Sequence, residues 1–278
     1  MPFTRVRDIN MYYQVRGSGP RLMYISGTGG DLRRSPSVFE SPLAEEFEIL
    51  AFDQRGLGQT DRHDTPYTMA DYAADADALM MAVGWDRCLV MGVSFGGMVG
   101  PELALRYPDR VERLVLACTS SGGNGGSSYP LHKLVELSDD ERVRRGIGLS
   151  DTRLNAEWQV ANPAELQTIL DQSQSMRGVG VGEPGRQEGA LRQLQARANH
   201  DVYDRLPQLR IPVFVCGGRY DGIAPPENSR ALAQCIPGAV LDFFEGGHGF
   251  LREDPRALES VIAFLHGQLV SHGATTAN

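Results

Sequence analysis

One stretch, Cys88-Leu89-Val90-Met91-Gly92-Val93-Ser94-Phe95-Gly96-Gly97, constrains this chain more than any other. Cys88 to Met91 is a short apolar run suited to a buried strand, and Gly97 through Arg106 and Tyr107 reads as a helix. A serine between them sits at a sharp bend, where the backbone is crowded. Gly92 and Gly96 leave room because neither carries a Cβ. Such a bend lifts the Ser94 hydroxyl clear of the sheet and aims the Phe95 backbone N–H at the same point, the arrangement of a nucleophile elbow. The five-residue pattern also fits an ordinary Gly/Ser turn at a strand end. Its meaning depends on what else the chain brings to that edge.

A chain of 278 residues buries a large core without metals or disulfides. Its formal charge of −8 argues against nucleic acid and anionic membrane surfaces as partners, since both are polyanions. No run approaches the length of a membrane span, and no basic-then-apolar leader opens the chain, so a cytoplasmic protein is expected. Cys88, Cys118 and Cys216 fall in apolar, strand-like runs, and the four cysteines include no C-x-x-C pair. A disulfide framework or a zinc site is therefore not expected. The only lysine, Lys133, lies in a polar stretch, which leaves Schiff-base chemistry without a candidate. No cofactor is called for.

Thr4 to Val15 reads as an edge hairpin turning at Arg7-Asp8, and Arg21 to Ile25 as the first buried strand. A helix is expected over Ser37 to Phe47, then a strand over Ile49 to Phe52. Thr68 opens a helix as N-cap, with Asp71 in the first turn and Gly84 as the stop. After the Ser94 elbow and its helix, Glu112 to Ala117 is another strand. Alternating strands and helices with short connections predict an α/β fold, a mostly parallel sheet covered by helices on both faces. The alternation then stops. Thr119 to Gln195 offers helical patterns only, including a capping box at Ser138 to Glu141 and a helix over Pro163 to Met176. The glycine stretch Gly178 to Gly185 reads as mobile or a hinge. The sheet pattern resumes at Ile211 to Cys216 and Val240 to Phe244. A helix over Ala257 to Leu269 and a frayed tail, Gly273 to Asn278, close the chain. Residues 1–120 and 201–278 are thus expected to form the α/β core. Residues 121–200 form a helical cap over the sheet's C-terminal edge, where open α/β sheets bind ligands.

Further loops reach that edge. A serine needs a base within hydrogen-bond reach, and His248 is the one histidine of six in a glycine-flanked turn directly after a strand. Asp221, in the loop after Cys216, is the carboxylate placed to orient the imidazole. The chain order Ser94, Asp221, His248 is that of α/β-hydrolases. From Tyr24 to Leu265 the chain resembles this family. The likeness rests on the elbow Gly-Val-Ser-Phe-Gly-Gly, on Phe52-Asp-Gln-Arg-Gly-Leu-Gly-Gln-Thr-Asp61, and on the acid and histidine loops. It is nearest to the carboxylesterase and enol-lactone hydrolase branch.

The resemblance implies an oxyanion hole made by the backbone N–H groups of Phe95 and Thr28. One departure stands out: the family's His-Gly in this loop is Ser26-Gly27 here, so the loop needs other bracing, with Asp31 and Gln54 as candidates. Asp53 and Arg55 are read as structural supports of their turn. Phe39, Trp158, Met98 and Met176 are candidates to line an acyl pocket, but isolated apolar side chains more often belong to the core, so none is assigned to the site. The implied function is hydrolysis of an ester-type bond, a carboxylic ester or lactone, in a small, largely apolar substrate through an acyl-enzyme. Carbon–carbon bond hydrolysis of a β-diketone type is the alternative, and a slow-turnover ligand receptor on the same fold a further one. A haloalkane dehalogenase would need a carboxylate where Ser94 stands.

Overall fold

The computed structural model describes residues 2–268. β1 (Phe3–Val6) and β2 (Ile9–Arg16) form the antiparallel edge hairpin, turning at Arg7, which adopts φ +51°. β3 (Arg21–Ile25), β4 (Glu48–Phe52), β5 (Cys88–Val93), β6 (Val111–Ala117), β7 (Val213–Gly218) and β8 (Val240–Phe244) are mutually parallel. The eight strands lie in the order β1-β2-β4-β3-β5-β6-β7-β8. The strand that carries the elbow is therefore central. Alternate β5 side chains face opposite layers: Val90 packs with one cluster, Leu89 and Met91 with the other.

Helices cover both faces. Between β3 and β4 the expected single helix is instead a 3-10 turn, Val38–Glu40, and one turn of helix, α1 (Leu43–Glu46). The break is chemical. Pro42 forces Ser41 into the extended region (ψ 161°), and Glu40 is spent capping the Ser37 N–H and hydroxyl. α2 (Met69–Ala82) starts at the expected N-cap Thr68, which forms a capping box with Asp71. α3 (Phe95–Arg106) follows the elbow directly.

The connection from β6 to β7 contains α4 (Asp139–Ser150), α5 (Ala156–Ala161), α6 (Pro163–Arg177) and α7 (Arg186–Ala198), with 3-10 turns between. Ser138 and Glu141 form the expected capping box of α4. α8 (Pro226–Cys235), α9 (Phe250–Glu253) and α10 (Pro255–Leu265) complete the fold. The closing helix ends at Leu265, short of the expected Leu269, and Gly267 behind it takes φ +80°. The expected frayed tail lies outside the described residues.

The helical insert is fastened to the loops at the C-terminal ends of β3 and β4. Within the glycine stretch before α7, Glu183 pairs with Arg33 and Arg62. Arg186 reaches Asp31 at 3.3 Å, and Gln193 accepts the Gly29 N–H at 2.8 Å. The closest approach is backbone to backbone: a Cβ on Gly189 of α7 would lie 2.0 Å from the Gly56 carbonyl oxygen. Gly189→Ala should push α7 off that turn and cost about 1–3 kcal/mol in unfolding free energy. A denaturant titration unchanged by the substitution would contradict the close docking.

Two buried titratable groups act in opposite directions. Asp53, fully buried, accepts the Leu32 N–H at 2.7 Å and the Gln59 N–H at 2.9 Å, yet burial pushes its carboxyl up to about 6. His200, also buried, is pushed down to about 4 by the same loss of solvation. The Asp53 contribution is fully present below its unfolded value of 3.8 and is lost as pH rises through 6. The His200 contribution is fully present above its unfolded value of 6.5 and is lost as pH falls through 4. Each amounts to roughly 3 kcal/mol at 1.36 kcal/mol per pH unit. In the wild type the two slopes offset between pH 4 and 6. In His200→Gln the opposing slope is removed, so urea midpoints should fall as pH is raised from about 5 to 6, above the 4.5 at which lowered carboxyls such as Glu102 titrate when unfolded. A flat profile in that variant would refute the assignment.

Candidate active site

β5 runs straight into Ser94, whose φ of +55° and ψ of −110° are rare for a residue with a side chain. Neighbouring contacts hold it there. The Ser94 N–H donates to the Ala117 carbonyl at 2.8 Å, and the Thr119 hydroxyl donates to the Ser94 carbonyl at 2.7 Å. Both flanking glycines are required. A Cβ at Gly92 would sit 2.3 Å from the Gly96 oxygen, and one at Gly96 would sit 2.0 Å from the Ile25 oxygen. The sequence reading of a strand–bend–helix unit is what the chain forms.

The structure brings Ser94, His248 and Asp221 into one line. The Ser94 Oγ lies 2.9 Å from His248 Nε2, and His248 Nδ1 lies 2.7 Å from Asp221 Oδ2. The other Asp221 oxygen accepts the Ile223 and Ala224 N–H groups, each at 2.8 Å. Two backbone donors thus fix the carboxylate plane and leave Oδ2 for the imidazole. With Nδ1–H directed at Asp221, Nε2 carries the lone pair that faces the serine.

The helical insert supports both partner loops, a role not readable from sequence. At the C-terminus of α4 the Leu149 carbonyl accepts the Gly222 N–H at 2.9 Å, and the Ser150 carbonyl accepts the His248 N–H at 2.6 Å. Helix ends leave such carbonyls without intrahelical partners, so these acceptors are available. Gly247 permits the approach, since a Cβ there would lie 2.0 Å from the Ser150 oxygen.

Phe95 is the first residue of α3, and its N–H belongs to the group that the helix leaves unpaired. The Ser26 to Gly30 loop passes beside the nucleophile: a Cβ on Gly27 would be 3.4 Å from the Ser94 Cβ. Thr28 follows at once. Gln54 braces this loop, its Nε2 donating to the Ser26 carbonyl at 2.8 Å and to the Ser26 hydroxyl at 3.3 Å. Gln193 of α7 braces it from the other side through Gly29. Asp31 does not reach the loop backbone, pairing instead with Arg33 and Arg186. Asp53 and Arg55 hold the following turn: Asp53 through Leu32 and Gln59, Arg55 through Asp75 and Asp8 at 2.7 Å each.

Cys118 Sγ, Asp221 and His248 lie within 4.8 Å of one another, a spacing open to a metal ion. The donor set does not suit one. Burial holds the Cys118 thiol far above its ordinary value, and both imidazole nitrogens are already engaged.

Two cavities are lined by neighbours of these side chains. One, of about 340 Å³, is walled by Met98 and Ser120, near neighbours of Ser94 and of Thr119, and by Arg197 and His200. The other, of about 910 Å³, is mostly apolar, with Leu134, Ile147, Leu154, Ile169 and Ile223, and abuts Gly246 and Gly249 on either side of the histidine turn. Met98, one of the acyl-pocket candidates, lines the first. The side chain of Met176 lies outside the described residues.

Residues 20–255 match the family described as the alpha/beta hydrolase fold. A protein of Caulobacter sp. (strain K31), provisionally named a carbamate hydrolase, RutD, is 30% identical over 93% of this chain and 96% of its own length. Among solved structures, a hydrolase from Pseudomonas aeruginosa PA01 is 27% identical, covers 95% of this chain and 97% of its own, and superposes with a TM-score of 0.74. The enol-lactonase from Burkholderia xenovorans LB400, at 24% identity, shares the fold over 96% of this chain and 100% of its own, with a TM-score of 0.75. By family model, strand order and the placement of its elbow, this chain belongs to the α/β-hydrolase fold family.

Proposed function

We propose that this chain is a serine hydrolase cleaving an ester-type bond, a carboxylic ester or lactone, of a small substrate through an acyl-enzyme on Ser94. The reading is carried by the unbroken hydrogen-bond line from Ser94 Oγ through His248 to a fully buried Asp221. His248 Nε2 takes the hydroxyl proton as Oγ attacks the carbonyl carbon. The imidazolium that results is stabilised by Asp221, and the N–H groups of Phe95 and Thr28 receive the developing oxyanion. Collapse breaks the bond to the leaving oxygen, which takes the proton from His248. Water then adds to the acyl-enzyme with His248 again as base, and the acid is released with Ser94 reprotonated.

The names of similar proteins support an acyl carbonyl as the target, one being named for carbamates and another for an enol-lactone. Residues 121–200 act as the cap in this reading. The apolar wall of the larger cavity, beside the histidine turn, suits the hydrocarbon part of the substrate.

A fluorophosphonate probe should label the wild type at Ser94 and leave Ser94→Ala unlabelled. On an ester or lactone that is turned over, Ser94→Ala should lose on the order of 10⁶ in kcat and Asp221→Asn on the order of 10⁴. Near-normal turnover by Ser94→Ala would end this mechanism. Cleavage of β-diketones without cleavage of esters would move the reading to carbon–carbon bonds, and near-zero turnover on every matched substrate would move it to a receptor.

A further inference from the structure

Arg197, near the end of α7, presents an unusual arrangement. Its side chain is buried, with the residue only 6% exposed, and among the described residues it forms no ion pair. Nη1 donates to the Tyr129 carbonyl at 2.6 Å, which fixes the guanidinium. Nε and Nη2 have no hydrogen-bond partner. These two donors share one edge of the planar group, the edge that meets a carboxylate through two parallel N–H···O bonds. Leaving a buried cation's donors unmatched is unfavourable enough that such groups ordinarily find partners.

The surroundings have the same polarity. The cavity of about 340 Å³ is lined by Arg197, Lys133, His132, His200, Ser120 and Ser128, and no carboxylate lines it. It does so in a chain of net charge −8 whose only lysine is Lys133. The ring nitrogens of His200 are buried without a partner at hydrogen-bond geometry, although the Ser120 backbone lies near. The glycine-rich segment after β6 closes tightly around this space: a Cβ on Gly122 would lie 1.9 Å from the His200 carbonyl oxygen. The hydroxyls of Ser120 and Ser128 are 2.8 Å apart. The wall is built from neighbours of the Ser94 line: Met98 stands four residues on from Ser94 in α3, Ser120 adjoins the Thr119 that bonds the Ser94 carbonyl, and the Asp221 charge acts on the Arg197 guanidinium.

We propose that this cavity seats a carboxylate of the substrate, so that the preferred ester or lactone is an anion with its apolar part elsewhere in the cleft. Arg197 Nε and Nη2, both covered in this structure, form the fork after a small shift of the side chain or the wall, and Lys133 supplies a second positive charge at the wall. The proposal rests on Ser94 being the nucleophile, and it narrows the substrate class rather than the chemistry. A single planar fork favours a planar two-oxygen group over a tetrahedral phosphate.

Two arms test it. The first compares kcat/KM of the wild type for p-nitrophenyl monoglutarate and for the neutral isostere in which the free carboxylate is a carboxamide. The charged ester should be favoured by at least about tenfold, because a neutral group leaves the guanidinium edge unmatched. The ratio should fall towards one in Arg197→Met and be partly kept in Arg197→Lys. Equal or better use of the neutral ester by the wild type would overturn the proposal, whatever the variants do. The second arm needs no turnover. Glutarate should bind Ser94→Ala protein by calorimetry at least about tenfold more tightly than glutaramide or inorganic phosphate does. Phosphate binding as tightly as glutarate, or no glutarate binding, would overturn it. If the fluorophosphonate labelling of Ser94 fails while glutarate binds, the hydrolase reading falls and the carboxylate seat stands. If labelling succeeds and glutarate does not bind, the reverse holds.

Discussion

Everything at the C-terminal edge of this sheet depends on a bend too tight for two side chains. β5 and α3 can meet at Ser94 only because Gly92 and Gly96 bring backbone to within a Cβ radius of Gly96 and Ile25. The bend places the serine at a positive φ, a conformation that costs on the order of 1–3 kcal/mol for a non-glycine residue. Two hydrogen bonds from β6 and Thr119 hold it there. The strain is not incidental to the chemistry. It points the hydroxyl away from the sheet, and it puts the first free N–H of α3 on the side where the hydroxyl emerges.

The second dependence is between the core and the insert. α4 ends with carbonyls that have no helical partners, and those carbonyls take the N–H of Gly222 and of His248. The loops that carry the acid and the base are therefore set partly by the insert and not by the sheet alone. α7 makes a matching contact on the other side, where Gln193 holds Gly29 of the loop beside Ser94. A change in how the insert packs would alter the positions of the His248 turn and the Ser26 to Gly30 loop together. On the proposed function, such coupling gives substitutions in the insert a route to kcat as well as to KM.

The fold was largely readable from period and punctuation. Apolar runs ending at Ile25, Val93, Cys216 and Phe244 mark the strand ends to within two residues, and a loop at the Ser94 edge follows each. Ser94, Asp221 and His248 are readable because each sits at a strand end with turn residues around it. The expected helix over Ser37 to Phe47 is instead two short turns, since the effect of Pro42 on Ser41 outweighed an apolar spacing that looked helical. Gln54 was readable only as one of two candidates, because whether a side chain reaches Ser26 depends on how β4 and β3 align, and Asp31 turned out to serve arginines. The carbonyls of Leu149 and Ser150 left no trace at all. A backbone acceptor carries no sequence signal, and long-range contacts such as α4 to the histidine turn follow from packing rather than from local pattern. Arg197 was invisible for the same reason, being one arginine among many until burial singles it out.

That burial bears on the electrostatics of the whole site. Asp221 is a fully buried carboxylate matched by two N–H groups and an imidazole, none of them a full charge while His248 is neutral. In the proposed mechanism, protonating the imidazole supplies the missing charge, so the buried acid favours the transition state over the resting one. Arg197 is the complementary case: its guanidinium is held down to about 10 by burial, with the Asp221 charge pulling the other way. It remains a cation at neutral pH, so a buried carboxylate bonded to an imidazole lies near a buried cation whose Nε and Nη2 have no partner among the described residues. Neither charge is fully compensated by the protein's own groups. On the proposed mechanism the compensation comes during the reaction, from a proton moving from Ser94 to His248 in the first case and from the proposed substrate carboxylate in the second.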